Sequence, residues 1–160
     1  MLGEPLRGLP ALLKGEKVAT LSEKILGCWR LVSYEFKSAD GRVFQQWGKD
    51  PIGLAIIDKG GYMSVQIMRR DRPLLAGKTP TPETIKAAFQ GYTAYFGPYQ
   101  VNEKDGTFTT RVEGAVIPDW VGGEQFRYAE VSETQVVFRT PPVRVGKVEA
   151  VGRLVWEKIG

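Results

Sequence analysis

The chemistry open to this chain is restricted, because its 160 residues include no histidine. Without imidazole there is no Ser-His-Asp or Cys-His pair and no His proton shuttle. A general acid or base must then be Asp, Glu, Lys, Tyr or Cys. A structural zinc site also fails, since Cys28 is the only cysteine and a zinc site needs a full set of Cys and His ligands. We expect a protein that requires no metal.

Phosphate-binding and hydrolase motifs are absent from the sequence as well. There is no GxxxxGK[ST] loop, no GxGxxG between a strand and a helix, and no GxSxG elbow. The usual nucleotide and esterase chemistry is therefore excluded, and we expect no cofactor. The groups that remain for acid/base catalysis are carboxylates, lysines, tyrosines and the one cysteine, with arginines to stabilise developing negative charge.

Arg111 and Glu113 are one candidate pair, in a segment that is predicted to be a β-strand at about 107–117. Because side chains alternate between the two faces of a strand, both residues lie on the same face. Inside a barrel they would provide a base beside a cation that stabilises an enolate or a phenolate. On the outer face they would form a solvated ion pair worth about 1 kcal/mol or less. The sequence leaves both alternatives open.

The elements that must position such groups are short strands separated by turn residues. Turn residues recur after Trp29 between short alternating segments, which predicts an all-β protein with an antiparallel sheet folded on itself. The turns are Asp40-Gly41, Lys59-Gly60-Gly61, Asp105-Gly106, Gly122-Gly123 and Pro141-Pro142. The predicted strands lie at about 28–37, 42–47, 52–58, 61–69, 94–102, 107–117, 124–131, 134–140 and 148–158.

Helical signals occur at two places. Thr20 lies three residues before Glu23, which predicts a capping box and a helical turn that could plug one end of the barrel. Pro82 predicts the start of a second helix, at about 82–91. Apolar residues recur at helical spacing in this helix, as expected of a cover packed on the barrel: Ile85, Ala88 and Phe89.

Length and composition fit one domain with an N-terminal extension. A chain of 160 residues can bury about 70% of its unfolded surface, so its core needs no disulfide. Residues 1–19 are rich in Gly, Pro and Leu, and we expect an irregular arm there and the barrel domain over 20–160. The arm could cover a barrel mouth or fray.

The number of cysteines and the distribution of charge restrict the cellular compartment and the binding partners that we expect. A single cysteine, no apolar run near ~18 residues and no secretion signal favour the cytoplasm. The net charge of +4 comes from scattered Lys and Arg, which argues against a nucleic-acid surface. We expect no nucleic-acid or membrane partner, and a homodimer is left open.

Four motifs in series resemble the bacterial and fungal lipocalin-like domain family. They are Leu26–Glu35 with its Gly-x-Trp start, GYMSVQIMRRDRP at 61–73, Val112–Gly114 followed by Pro118–Gly122, and Leu154–Glu157. The resemblance implies a small antiparallel barrel of about eight to ten strands around a hydrophobic pocket, often in a setting of secondary metabolism or catabolism. The family often has a histidine where this chain has Arg111, so an activity based on imidazole is not expected here.

The resemblance further implies that Trp29 points into the barrel, where a stacked cation such as Arg153 would lock the closing strand. By alternation, Ser33 and Glu35 then share the face of Trp29, which places a carboxylate in the lumen. Glu35 is therefore the leading acid/base candidate, with Arg111 and Glu113 as further catalytic candidates.

Other side chains are expected to contact a ligand. Strand 61–69 presents one of two faces to the lumen, and we favour the polar and aromatic face with Tyr62 and Gln66 over the aliphatic face. Trp120 is either a rim residue over the pocket mouth or a plug at the closed end, and of these two we favour the plug. The predicted ligand-binding residues are Ser33, Tyr62, Gln66, Tyr95, Trp120 and Arg127.

Two classes of function fit this pattern. The first is a cofactor-independent isomerase, cyclase or lyase that holds a small apolar or aromatic substrate and uses Glu35 with Tyr and Arg side chains. The second is a carrier or sensor that binds such a molecule without converting it. We favour the enzyme, because a pocket that only holds an apolar ligand needs no buried carboxylate.

Overall fold

The fold is an antiparallel barrel preceded by one helical turn. The computed structural model describes residue 15, residues 17–77 and residues 79–160, so most of the predicted arm lies outside the described residues. The strands are β1 (Gly27–Ser38), β2 (Val43–Phe44), β3 (Ile52–Ile57), β4 (Tyr62–Met68), β5 (Tyr92–Asn102), β6 (Thr107–Arg111), β7 (Gly114–Ala115), β8 (Glu124–Val131), β9 (Gln135–Arg139), β10 (Val143–Val145) and β11 (Val148–Lys158). The helices are α1 (Leu21–Lys24) and α2 (Pro82–Gln90), with a 3₁₀ turn at Pro118–Trp120.

Eight of these strands close into the barrel, in the order β11-β9-β8-β6-β5-β4-β3-β1. Every pairing is antiparallel, and β1 returns to pair with β11, which leaves no open edge in the ring. The short strands β2, β7 and β10 pair with β1, β5 and β11. The predicted all-β fold, a single antiparallel barrel, is confirmed.

The segment predicted as one strand at 107–117 is instead interrupted between β6 and β7. The N–H of Val112 donates to the carbonyl of Gly123 (2.9 Å), and the N–H of Glu113 donates to the carbonyl of Phe96 (2.9 Å). These tertiary hydrogen bonds draw the backbone out of the regular ladder. Strand β10 is also absent from the prediction.

One end of the barrel is closed by α1. Thr20 caps it with the predicted capping box, in which its side chain accepts from the N–H of Glu23 and the Glu23 carboxylate accepts from the N–H of Thr20. Glu103, just after β5, accepts hydrogen bonds from the N–H groups of Leu21 and Ser22, both at 2.8 Å. Ile25 is fully buried in the core. The turn therefore plugs this end.

Trp29 ties the closed end to the closing strand. Its ring is fully buried, and its Nε1 donates to the carbonyl of Ile25 at 2.8 Å. Lys158 Nζ lies 5.3 Å from the ring centroid. The expected cation stacked on Trp29 is therefore present at the end of the closing strand, but it is Lys158; Arg153, the residue named as an example, is exposed on the outer face.

Helix α2 starts at the predicted place, with Thr81 as its cap and Pro82 in the first turn. Its apolar stripe is not buried: Ile85 is 57% exposed and Phe89 is 48% exposed. The prediction of a cover packed over the barrel is therefore wrong for these two side chains.

Candidate ligand-binding lumen

The barrel encloses a cavity of about 420 Å³. Most of its wall is apolar. The aromatic side chains in this wall are Phe36, Trp47, Phe108, Phe138 and Trp156, and the other apolar side chains are Ala55, Ile57, Met63, Val65, Ile67 and Leu154. Ligand pockets in proteins commonly measure about 300–1,000 Å³. The cavity is therefore large enough for one small molecule.

Strand β4 supplies its aliphatic face to this wall, with Met63, Val65 and Ile67 buried. The preference for the face with Tyr62 and Gln66 is wrong, since both residues are exposed on the outside of the barrel. The physical reason is that the apolar stripe of α2 does not cover the outer face. The aliphatic side chains leave water only if they point inward.

Polar groups occupy one part of the lumen wall. Tyr34, Tyr95 and Arg127 line it, the first from β1 and the others from β5 and β8. Burial raises the pKa of Tyr34 to about 12, although the nearby positive charge of Arg127 opposes this shift. Tyr34 therefore stays protonated at neutral pH and can donate a hydrogen bond.

Arg127 is half-buried and makes two hydrogen bonds within the described part of the chain. Its Nη1 donates to the carbonyl of Phe126 at 2.7 Å, and its Nη2 donates to Oε1 of Gln125 at 3.1 Å. Gln125 lines the same cavity. Among the described residues that line the lumen there is no Asp or Glu.

The lumen opens at the end opposite α1. A second cavity of about 590 Å³, which we call the vestibule, shares four lining residues with the lumen: Gln46, Trp47, Thr93 and Trp120. The end of α2 and the segment after β4 form its other walls, with Ala87, Phe89, Arg69 and Arg72. A ligand can therefore reach the lumen from this side.

Two tryptophans flank this mouth. The Trp120 ring meets Tyr95 edge to face, with 5.9 Å between centroids and an interplanar angle of 83°. The Trp47 ring stacks on Tyr34 at 6.4 Å and 18°. The preferred position for Trp120, a plug at the closed end, is therefore wrong, because the residue lies at the rim between the two cavities.

Glu35 lies outside the barrel, so the prediction that it lines the lumen is wrong. In the pairing of β1 with β11, Leu31 faces Trp156 and Ser33 faces Val155, which leaves an extra residue in a β-bulge. Beyond the bulge the inward positions fall on Tyr34 and Phe36. Glu35 is exposed, and its carboxylate accepts a hydrogen bond from Gln45 Nε2 at 2.8 Å.

Arg111 and Glu113 are also exposed, and neither lines the lumen. No ion pair joins them among the described residues. The Glu113 carboxylate instead accepts from the Tyr62 hydroxyl at 3.1 Å. Both alternatives for the Arg111 and Glu113 pair are therefore wrong, because β6 ends before Glu113.

The predicted residues that do meet in the lumen are Tyr95, Trp120 and Arg127. Ser33 is half-buried beside the bulge and does not line the cavity. Tyr34 is the main lining residue that alternation missed. The sequence carries a signal for it. In β1 the apolar and aromatic residues fall on odd-numbered positions at Trp29 and Leu31 and on even-numbered positions at Tyr34 and Phe36, which indicates that the inward face shifts by one residue between them.

Two further observations concern the described part of the chain. No helix there is both long enough and apolar enough to cross a membrane. No group of three or more His, Cys, Asp or Glu side chains in the same residues is placed to hold a metal ion. That the protein needs no metal stays a prediction.

The sequence matches the lipocalin-like domain family over residues 26–159. The chain belongs to this family. The match spans the complete barrel of this lipocalin-like domain, from the residue before β1 to the residue after β11. Comparison with curated proteins gives no match.

Proposed function

We propose that this lipocalin-like domain binds one small apolar or aromatic molecule in its lumen and acts as a carrier or sensor of that molecule. The lining of the cavity is the observation that carries the proposal. About 420 Å³ is enclosed mainly by aliphatic and aromatic side chains, and an open mouth leads to it. Burial of apolar ligand surface against such a wall would supply most of the binding free energy.

The polar groups of the lumen favour binding over acid/base catalysis. Among the described lining residues, none is a carboxylate that could take up a proton. Tyr34, with its pKa raised to about 12 by burial, is a donor and not a base near neutral pH. The sequence favours an enzyme because it predicts a carboxylate in the lumen, and that reason no longer applies.

A cofactor-independent isomerase, cyclase or lyase is the second candidate function. It is favoured by one observation, the closeness of Tyr34, Tyr95 and Arg127 on the lumen wall, where the charge of Arg127 reaches Tyr34. A tyrosine hydroxyl would donate a proton or a hydrogen bond to the substrate, and the guanidinium would stabilise a developing enolate or phenolate.

Binding is tested by titration with N-phenylnaphthylamine, an uncharged fluorescent probe with two aromatic groups. Ala55 lines the lumen, and its neighbour Ile56 faces outward and is 42% exposed. We expect the wild type to bind one probe per chain. Ala55→Phe, which fills the cavity, should weaken binding at least about tenfold, and Ile56→Phe should leave it within about twofold. No binding by the wild type, or equal loss in both variants, would contradict the proposal.

Catalysis is tested by proton exchange on an enolisable aryl ketone in D₂O, followed by NMR. Faster exchange with the wild type, lost in both Tyr34→Phe and Arg127→Met, would establish the second candidate function. If the protein binds the ketone but the exchange rate equals that in buffer, catalysis of this kind is ruled out and the carrier or sensor function is supported.

A further inference from the structure

Arg127 is a half-buried cation, and no ion pair among the described residues includes it. Exposed arginines without an acidic partner, such as Arg111 and Arg153, are solvated by water. Arg127 differs from them because its side chain is partly removed from water and lines the lumen. A cation removed from water without a counter-ion lowers the stability of a fold. Its presence in the lumen calls for a reason other than stability.

The guanidinium of Arg127 also has donors to spare. An arginine carries five N–H donors, and the contacts to Phe126 and Gln125 are its hydrogen bonds within the described chain. The planar fork suits an oxyanion, which can accept two parallel hydrogen bonds from it. The side chain is therefore equipped to receive an anionic group from the cavity.

The cavity as a whole is positively charged. The lumen and vestibule together are lined by Arg69, Arg72, Arg127 and Arg144, and the acid among their described lining residues is Asp71. Asp71 is paired with Arg69 at 2.8 Å. Apolar walls strengthen the field of the remaining cations, which raises the local concentration of anions at the mouth.

Other groups in the lumen wall lack acceptors. Trp156 is 2% exposed, and its Nε1 finds no acceptor within the described part of the chain. The hydroxyl of Thr93, at the neck between the two cavities, is likewise buried without a partner there. Such unpaired groups lower the stability of the empty fold, but both atoms are almost fully covered by protein, so Arg127 is the donor that a molecule in the lumen can reach directly.

We propose that the lumen selects an aromatic or apolar acid, whose oxyanion binds Arg127 while its apolar body contacts the aromatic wall. The ligand class is a carboxylate, a sulfonate or an ionised phenol. This inference rests on the proposed function, since it assigns the chemical class of the molecule held in the same cavity. Its alternative is that water entering through the mouth solvates Arg127 and the charge has no part in recognition.

The test compares two probes that differ by a single anionic group. Anilinonaphthalene sulfonate carries a sulfonate that N-phenylnaphthylamine lacks. Dissociation constants of both are measured for the wild type, Arg127→Met, Arg127→Lys and Arg153→Met. Arg153 is the matched control, because it is exposed on the outer face of β11 and forms no ion pair among the described residues.

We expect Arg127→Met to weaken binding of the sulfonate at least about tenfold and to leave the uncharged probe within about twofold. Arg127→Lys should keep part of the preference, because it keeps the charge and loses the planar fork. Arg153→Met should change neither constant. If Arg127→Met does not fold, the Arg127→Lys variant is used instead. A loss of affinity of about threefold or more for the sulfonate, with no loss for the uncharged probe, supports recognition of the anion by Arg127, and equal affinities contradict it.

Two kinds of failure are distinguishable. In the first, the uncharged probe binds in the lumen, and the Arg127 variants either leave the sulfonate affinity unchanged or weaken both probes equally. This result would overturn the inference of an acidic ligand and would leave the lumen as a binding site. In the second, Ala55→Phe does not alter the affinity for either probe, which shows that the probes do not bind in the lumen. This result would overturn both the proposed function and the inference of an acidic ligand.

Discussion

Leu31 and Ser33 of β1 face adjacent residues of the closing strand, Trp156 and Val155, so the bulge between them changes which side chains of β1 point inward. Before it, Trp29 and Leu31 are buried; after it, Tyr34 and Phe36 line the lumen. The bulge thus places a phenol on the wall of the cavity and directs the next carboxylate, Glu35, to the outside.

Glu35→Gln should therefore be nearly silent. The side chain is exposed, and an amide oxygen can still accept from Gln45. We expect the affinity for N-phenylnaphthylamine to stay within about twofold and the free energy of unfolding to change by less than about 0.5 kcal/mol. Fluorescence titration and urea unfolding check both quantities. A large loss of probe affinity would show that Glu35 reaches the ligand.

Tyr34 should make the stability of the protein fall at high pH. Its pKa is raised to about 12 in the folded protein, whereas a tyrosine in the unfolded chain ionises near about pH 10. The folded state then holds a proton that the unfolded state loses. The contribution of Tyr34 to stability is complete below about pH 10 and disappears as the pH rises to about 12.

The measurement is the free energy of unfolding of the wild type and of Tyr34→Phe between about pH 9 and pH 12. Over this range we expect the wild type to lose about 2–3 kcal/mol more than the variant. The other tyrosines and the lysines titrate in both proteins, so they cancel in the comparison. Parallel curves would contradict the buried position of the hydroxyl.

Trp120 should control the exchange rate of the ligand. It stands at the mouth, and its edge-to-face contact with Tyr95 is worth about 0.5–1.5 kcal/mol. We expect Trp120→Ala to raise the association and dissociation rate constants of N-phenylnaphthylamine together, by about fivefold or more, in stopped-flow fluorescence. Val121→Ala, at an exposed neighbour, is the control. Unchanged rates would place the route to the lumen elsewhere.

Arg127 should be dispensable for stability in the empty protein. Since it has no acidic partner among the described residues, Arg127→Met removes a partly desolvated charge and loses two hydrogen bonds. We expect the free energy of unfolding to stay unchanged or to rise by about 1 kcal/mol. Arg139→Met breaks the exposed ion pair with Glu130, and we expect it to lower the free energy of unfolding by about 1 kcal/mol or less. A loss above about 1 kcal/mol in Arg127→Met would assign Arg127 a structural role.

Local signals predicted the elements well. The capping box of Thr20 and Glu23, the start of α2 at Pro82 and most strand bounds depend on residues close in sequence. The interruption of β6 and β7 depends instead on hydrogen bonds from Val112 and Glu113 to distant carbonyls. No local pattern carries that information.

Side-chain direction was predictable only where one face was plainly apolar. A single bulge reversed the assignment of Glu35, because every residue beyond it changes face. Strand β4 has two partly apolar faces, and the choice between Tyr62 and Met63 depends on whether α2 covers the barrel. Such coverage is a tertiary property that periodicity does not contain.

The central claim is that the lumen holds the ligand, and a crystal structure of the complex with N-phenylnaphthylamine tests it most directly. We expect one probe inside the barrel, with its rings against Phe108, Phe138 and Trp156, and Trp120 at the mouth above it. A probe seated only on the exposed apolar side chains of α2, Ile85 and Phe89, with an empty lumen, would contradict the account.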